Sequence, residues 1–249
     1  MIYTLEGFFR NFGNLGDFAT LALLRVVPAL FCITIHELAH GYTAYKLGDP
    51  TAKDMGRLTL NPIKHIDPVG LLMMLTIGFG WAKPVPVDMR NFKHPKWHMA
   101  VTALAGPISN LILAAIVMFI LGLVSTSLGF IRFDGHDYNV GATEISTIIF
   151  MIINFTVFLN IALAVFNMLP IPPLDGSKVL LSLLPEKQYY TVLKYERYGM
   201  IFLLVIMVSQ LLFNIDIFSR TIGFLARTVV SGYGIFYNLG FALSGGLGA

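Results

Sequence analysis

Apolar residues occur in long runs along this chain, separated by segments that hold most of its charged residues. Four runs are well defined and cover about 18–47, 97–125, 145–169 and 198–213, and a weaker run with scattered glycines covers about 221–242. A helix needs about 20 mostly apolar residues to cross the hydrocarbon core of a bilayer. The pattern therefore predicts an all-α polytopic membrane protein with about four to five transmembrane helices.

One further apolar stretch, at 69–80, is too short to span a bilayer. The segment 81–87 follows it with the sequence WAKPVPV, in which prolines at alternate positions forbid a helix. Such alternation is typical of an edge strand or a short hairpin. Irregular backbone at membrane depth persists only where it is buried in protein or lines a wet cavity. We therefore expect 68–91 to form a small re-entrant or β element beside a cavity.

The composition agrees with a membrane protein. Hydrophobic residues make up 56% of the 249 residues and charged residues 12%, which is about half the charged share of a soluble globular domain. So few charges cannot cover a water-soluble body of this size. The single cysteine, Cys32, excludes an internal disulfide framework.

Basic residues are concentrated on one predicted face of the membrane, where 12 of the 17 lysines and arginines lie. They are Lys46, Lys53, Arg57, Lys64, Lys83, Arg90, Lys93 and Lys96 after the first apolar run, and Lys178, Lys187, Lys194 and Arg197 after the third. The positive-inside rule places this face in the cytoplasm. The N-terminus is then expected outside.

The sequence HELAH at 36–40 lies within the first predicted helix. Residues four apart share a helix face, about 5–6 Å apart at Cβ, so His36 and His40 can bind one zinc ion, with Glu37 beside them as a base for hydrolysis. Ionisable residues within an apolar helix are costly and usually mark a functional site. The alternative is a pair of buried histidines bonded to neighbouring helices, with Glu37 as their counter-charge.

A catalytic zinc site needs a third protein ligand and an open position. Asp175 is the best candidate, because it follows the third apolar run in the sequence NMLPIPPLDG at 167–176, whose prolines end the helix. It is then expected near the cytoplasmic end of the first helix. The alternative is that Asp175 caps the apolar helix that begins after it.

These motifs together resemble the site-2 protease family. Each matches the family in type and in order along the chain. They are HELAH at 36–40, NPIKHIDP at 61–68, GWAKPVPV at 80–87, GPISN at 106–110 and NMLPIPPLDG at 167–176.

The resemblance implies an intramembrane zinc metalloprotease that cuts peptide bonds in or near the transmembrane segments of other membrane proteins. His36, His40 and Asp175 would hold one Zn²⁺ ion, and Glu37 would be the general base. A transmembrane protein substrate and the lipid bilayer are the expected partners, with no nucleic acid. A prokaryotic plasma membrane is the expected location.

The resemblance also implies a domain organisation. One membrane-embedded domain would cover 1–249, with a three-helix catalytic core at about 18–184 and further helices at about 198–249. Family members often add a PDZ or CBS domain. We expect neither here, which makes the chain a minimal, core-only member.

Two groups of residues are predicted to bind substrate. Asn110 and Asn167 would contact its backbone or the developing oxyanion, although both side chains also suit interhelical packing. Trp81, Val85 and Val87 would hold an unwound substrate segment by strand addition.

Two other functions remain open. A metal transporter would use the His36, Glu37, His40 and Asp175 group as a transient ion site, with access from both faces. A non-catalytic relative would only bind membrane helices, but it would not need the intact Glu37. Cys32 is expected to be a small buried hydrophobe rather than a zinc ligand.

Overall fold

The computed structural model describes residues 15–77, 80–127, 131–133, 138–140, 144–213 and 217–244. Within these residues the chain forms nine α-helices, two short 3-10 helices and two short strands. The α-helices are α1 (Leu15–Lys46), α2 (Thr51–Asp54), α3 (Pro68–Ile77), α4 (Pro95–Ser127), α5 (Glu144–Asn167), α6 (Asp175–Ser182), α7 (Glu186–Leu193), α8 (Glu196–Phe213) and α9 (Ile217–Leu243). The 3-10 helices are Pro62–His65 and Met89–Asn91, and the strands are β1 (Ile131–Phe133) and β2 (Tyr138–Val140).

The predicted helical fold is confirmed for the described residues. Helices α1, α4, α5, α8 and α9 coincide with the five apolar runs, and the weakest run is one continuous helix. By length and composition, one helix of the described part of the chain can cross a membrane: Pro95–Val124, with a mean hydropathy of 2.4. Ile152–Asn167 is a shorter apolar helix. The number of membrane-spanning helices therefore stays a prediction.

The segment between α3 and α4 contains little regular structure. The first half of the expected re-entrant element is helix α3, and the expected strand at 81–87 is reduced to one isolated antiparallel bridge, between Ile66 and Ala82. Pro84 and Pro86 explain this, because proline has no N–H to extend a ladder. The described part of the chain has its one regular β-ladder elsewhere, as the antiparallel hairpin β1–β2 that pairs Arg132 with Asn139.

Helix α4 lies at the centre of the fold and packs against α1, α5, α6 and α9. Its buried residues Ala114, Met118 and Leu121 form a core cluster with residues of α5 and α9. At the crossing with α9, a Cβ on Gly122 would overlap the carbonyl oxygen of Tyr237, and a Cβ on Gly240 would overlap that of Phe119. Glycines therefore allow the two backbones to touch, and α9 belongs to the packed body.

Candidate metal centre

Three side chains from two helices converge on one point. His36 and His40 lie one turn apart on α1. Asp175 is the first residue of α6, which begins directly after the proline-rich segment that follows α5. The Nε2 atoms of the two histidines lie 3.0 Å apart, and each lies 3.2 Å from Oδ2 of Asp175. All three residues are buried, with at most 9% of any of them exposed. The predicted trio is thus brought together, and no other group of this kind occurs among the described residues.

The spacing of these three atoms fits a zinc ion. Around a tetrahedral zinc with bonds of about 2.0–2.2 Å, neighbouring ligand atoms lie roughly 3.3–3.5 Å apart. The observed separations of 3.0–3.2 Å are slightly shorter than this. Only a small outward movement of the side chains is needed.

Hydrogen bonds behind the histidines fix which ring nitrogen faces the centre. Nδ1 of His40 donates to the carbonyl oxygen of Thr102 at 2.7 Å, since a carbonyl can only accept. Nδ1 of His36 donates to Oδ1 of Asn110 at 2.9 Å. The Asn110 amide is held in this orientation because its Nδ2 donates to Oδ1 of Asn160 at 2.8 Å. Both Nε2 lone pairs therefore point at the centre, as in protein zinc sites.

The resulting set of ligand atoms suits a cation. Two imidazole lone pairs and one carboxylate oxygen lie within 3.2 Å of one another, with both ring protons engaged elsewhere. These acceptors repel one another unless a positive charge lies between them. Nitrogen and oxygen ligands in this number suit zinc with a remaining open position.

The alternative role of Asp175, as a helix cap, does not match its contacts. Leu174 occupies the cap position of α6, and no side chain there caps the helix. The Asp175 carboxylate instead faces the two histidines.

Gly106 of α4 allows the close approach of this helix to the ligands. A Cβ at this position would lie 2.6 Å from Cε1 of His36 and nearer still to Nε2 of His40. The helix backbone therefore closes one side of the site, and any side chain would occupy the space of the imidazoles.

We expect Gly106→Ala to lower zinc affinity by about 10–100-fold, because an overpacked core typically costs about 1–3 kcal/mol and here the displaced groups are ligands. Metal analysis of the purified variant at limiting zinc measures this. Gly232→Ala in α9 is the matched control, since a Cβ there would meet nothing within 4 Å. Equal zinc content in the two variants would contradict the prediction.

Glu37 lies beside the metal ligands but bonds to another part of the chain. Its Oε2 accepts a hydrogen bond from the backbone N–H of Val85 at 2.7 Å. The segment 82–87 is therefore in direct contact with the predicted base.

The predicted substrate-binding residues have mixed surroundings. Asn110 is fully buried, and its amide bonds to His36 and Asn160 inside the protein. Asn167 is half-buried and donates to the carbonyl of Leu163, one turn earlier in α5, at 3.0 Å. Of the predicted strand residues, Val85 is buried while Trp81 and Val87 are half-buried. No contact with substrate is tested for any of them, so those roles stay predictions.

Three contacts of the site were not expected from the sequence. The Thr102 carbonyl leaves no sequence signal, because every residue has one. Gly106 belongs to the GPISN motif, yet its steric role depends on the helix opposite. Asn160 did carry a sequence signal, because an amide within an apolar run is expected to have a hydrogen-bond partner. In the structure it is fully buried. Cys32 is buried, and its thiol contacts the Thr156 carbonyl at 3.7 Å rather than the ligand group.

Comparison with known proteins identifies the family. The chain matches the model of Peptidase family M50 over residues 25–210. It is 43% identical over 187 residues to the Bacillus subtilis (strain 168) protein named "Putative zinc metalloprotease YwhC", covering 75% of this chain and 80% of that one. Proteins named "Putative zinc metalloprotease Rip2" from Mycolicibacterium smegmatis and Mycobacterium tuberculosis are each 27% identical, over 76% and 78% of this chain and 68% and 70% of their own. Among solved structures, none matches.

These matches agree with the resemblance seen in the motifs. The matched region contains His36, His40 and Asp175, the group that can hold a metal ion. The metal-transporter alternative gains no support from any of the relatives. The chain therefore belongs to Peptidase family M50, the membrane-embedded site-2 protease family, and is a zinc metalloprotease.

Proposed function

We propose that this zinc metalloprotease hydrolyses peptide bonds in or near the transmembrane segments of other membrane proteins. The observation that supports this most is the position of the ligand group. His36 and His40 are buried on a helix of an apolar run, against the part of α4 that is long and apolar enough to cross a membrane. A protease centre enclosed by such helices favours substrates that share the bilayer.

The residues divide the chemistry between them. His36, His40 and Asp175 would hold the metal, and the Thr102 carbonyl and Asn110 would keep each imidazole in the ligating tautomer. When bound, zinc supplies a Lewis acid that polarises the scissile carbonyl and makes water more acidic.

Glu37 would move the proton. One oxygen of its carboxylate is held by the Val85 N–H, which leaves the other oxygen to accept a proton from the attacking water. Glu37 would then donate the same proton to the amide nitrogen of the leaving group. The carboxylate ends the cycle ionised, as it began.

Water has to reach this depth from one face. His40 lies six residues before the end of α1 at Lys46, which is about 9 Å along a helix. We propose that the site opens toward the cytoplasm, where the basic residues are concentrated. A prokaryotic plasma membrane is the proposed location, in keeping with the bacterial relatives.

The orientation can be tested by cysteine labelling in intact cells. With Cys32 replaced, we expect cysteines at the exposed positions Lys53 and Lys187 to resist a membrane-impermeant reagent. A cysteine at Asp137 should react with the same reagent. Asp137 and residues 1–14 are both predicted to lie on the outer face, and both lie outside the described residues. Reaction at Lys53 from outside would invert the proposed orientation.

The proposed activity is tested with purified protein in detergent. Bound zinc is measured, and cleavage of a model transmembrane substrate is compared between wild type and Glu37→Gln. The same proteins are reconstituted into liposomes, and the flux of metal ions across the liposome membrane is measured. Zinc-dependent cleavage without flux supports the protease, whereas flux without cleavage would support the transporter.

A further inference from the structure

The segment around Val85 offers few hydrogen-bond donors, and those it has are engaged. Pro84 and Pro86 have no N–H. The N–H of Lys83 donates to the carbonyl of His65 at 2.9 Å. The N–H of Val85 donates to Oε2 of Glu37 at 2.7 Å. Between residues 83 and 86, the one donor directed at the centre of the site is thus bonded to the predicted base.

We propose that the backbone N–H of Val85 is a positioning group for Glu37, and that the segment from Pro84 to Pro86 supports the base rather than pairing with substrate through this amide. The inference rests on the proposed function of the Glu37 site. It differs from strand addition, in which the same N–H would donate to a substrate carbonyl.

The local sequence fixes the direction of this N–H. Val85 precedes a proline, which confines it to extended backbone, and follows another proline with a fixed φ. Its side chain is buried, with 7% exposed, and Cγ1 lies against the backbone of Gly41 on α1, one turn after Glu37. Without the Glu37 carboxylate this partly buried N–H would lose its protein acceptor, which is costly.

The N-terminal side of the segment is anchored by the buried Arg57. Its guanidinium donates to the carbonyl of Lys83 at 2.8 Å, and 6% of the residue is exposed. The bridge between Ile66 and Ala82 holds the same side. This end of the segment is therefore fixed to the stretch of chain between α2 and α3.

The C-terminal side is anchored by Asp49, which is fully buried. Its carboxylate accepts the N–H of Asp88 and the amide of Asn91, each at 2.7 Å. Burial raises the pKa of Asp49, but hydrogen bonds from Thr51, Asn91 and the Asp88 N–H outweigh this and hold the pKa below its ordinary value. The charged form is thus retained, and both ends of the segment are tied to residues near α1.

A fixed donor is useful to a glutamate base. A glutamate side chain has several rotatable bonds, and ordering it costs conformational entropy. A short bond from an N–H to a carboxylate is among the stronger hydrogen bonds. The Val85 amide therefore orders the carboxylate at one oxygen and leaves the other for water.

The test compares Val85→Pro, which removes the N–H, with Val85→Ala, which keeps it. Each variant is assayed on a model transmembrane substrate and on a short unstructured peptide, and kcat and KM are measured separately for each substrate. We expect Val85→Pro to lower kcat by about 10–100-fold on both substrates, with KM and zinc content nearly unchanged, the size of loss typical when a hydrogen-bond partner behind a metal-site residue is removed. Val85→Ala keeps the N–H and should lose clearly less kcat than Val85→Pro on both substrates.

Other outcomes overturn the inference. A rise in KM on both substrates with kcat retained would assign the amide to strand addition. Unchanged turnover on both substrates would show that the contact has no role. If wild type and Glu37→Gln hydrolyse both substrates equally slowly, the proposed function fails first, and the positioning role fails with it.

If Val85→Pro does not fold, which low zinc content would reveal, a second variant tests the inference. Incorporating the α-hydroxy analogue of valine at position 85 replaces the N–H by an ester oxygen without restricting φ. The same loss of kcat on both substrates is expected. Combining this change with Glu37→Asp, whose shorter side chain weakens the contact, should cost less than the sum of the single effects; full additivity would contradict the inference.

Discussion

Replacing Glu37 by glutamine is expected to lower peptide-bond hydrolysis by at least about 100-fold while zinc remains bound. General acid–base groups typically contribute about 10²–10⁴-fold, and glutamine cannot take a proton from water. The side chain has the same size, and its carbonyl oxygen can still accept the Val85 N–H. Turnover of a model transmembrane substrate and metal analysis of the same sample measure the two halves of this prediction.

Glu186→Gln in α7 is the matched control for this change. Glu186 is exposed, so the substitution removes a carboxylate of the same kind without touching the buried ligand group. We expect wild-type turnover and zinc content. Substantial turnover by Glu37→Gln would remove the general-base assignment.

Asp175→Ala is expected to lower both zinc content and activity. The expected loss exceeds the roughly 10–100-fold loss of metal affinity or activity that follows when a metal ligand loses its hydrogen-bond partner. The change removes the one oxygen of the ligand group and leaves two histidines at 3.0 Å. Two nitrogen ligands do not complete a protein zinc site. Zinc titration against a competing chelator gives the affinity of each protein.

Asp67→Ala is the control for Asp175→Ala, because it distinguishes the loss of a metal ligand from the loss of a helix cap. Asp67 caps α3 through a hydrogen bond from the N–H of Gly70 at 2.8 Å. Removing such a cap costs about 1 kcal/mol of stability and should leave the zinc content unchanged. Full zinc occupancy in folded Asp175→Ala would direct the search for a third ligand elsewhere.

The ligand group was within reach of the sequence because its geometry is largely local. His36 and His40 share a helix face by periodicity alone. Asp175, 139 residues from His36, was predicted from its place after the third apolar run, and the resemblance to the site-2 protease motifs agreed with it. The structure brings these three residues together. Their surroundings were harder to predict, because the Thr102 carbonyl and the Asn160 amide reach the site from other helices.

The contact between Val85 and Glu37 shows where sequence reasoning stops. Alternate prolines excluded a helix at 81–87, and the structure has none there, but the expected edge strand is reduced to one bridge at Ala82. They also indicated that Val85 had a free N–H to offer, but nothing in the pattern named the acceptor. In the structure that acceptor is the Glu37 carboxylate.

The weakest apolar run illustrates the same limit for the fold. Scattered glycines at 221–242 made a spanning helix doubtful, since glycine disfavours helix interiors. In the structure, Gly240 is where α9 meets Phe119 of α4. The residue that weakened the helical pattern is one that permits the packing.

The order of the ligands along the chain has a consequence for biosynthesis. Ribosomes make His36 and His40 long before Asp175, and closing a loop of this length carries an entropic cost that only the finished fold repays. The metal-binding trio therefore cannot assemble while the first helices are being inserted. A nascent chain would therefore lack the complete ligand group until Asp175 has been made.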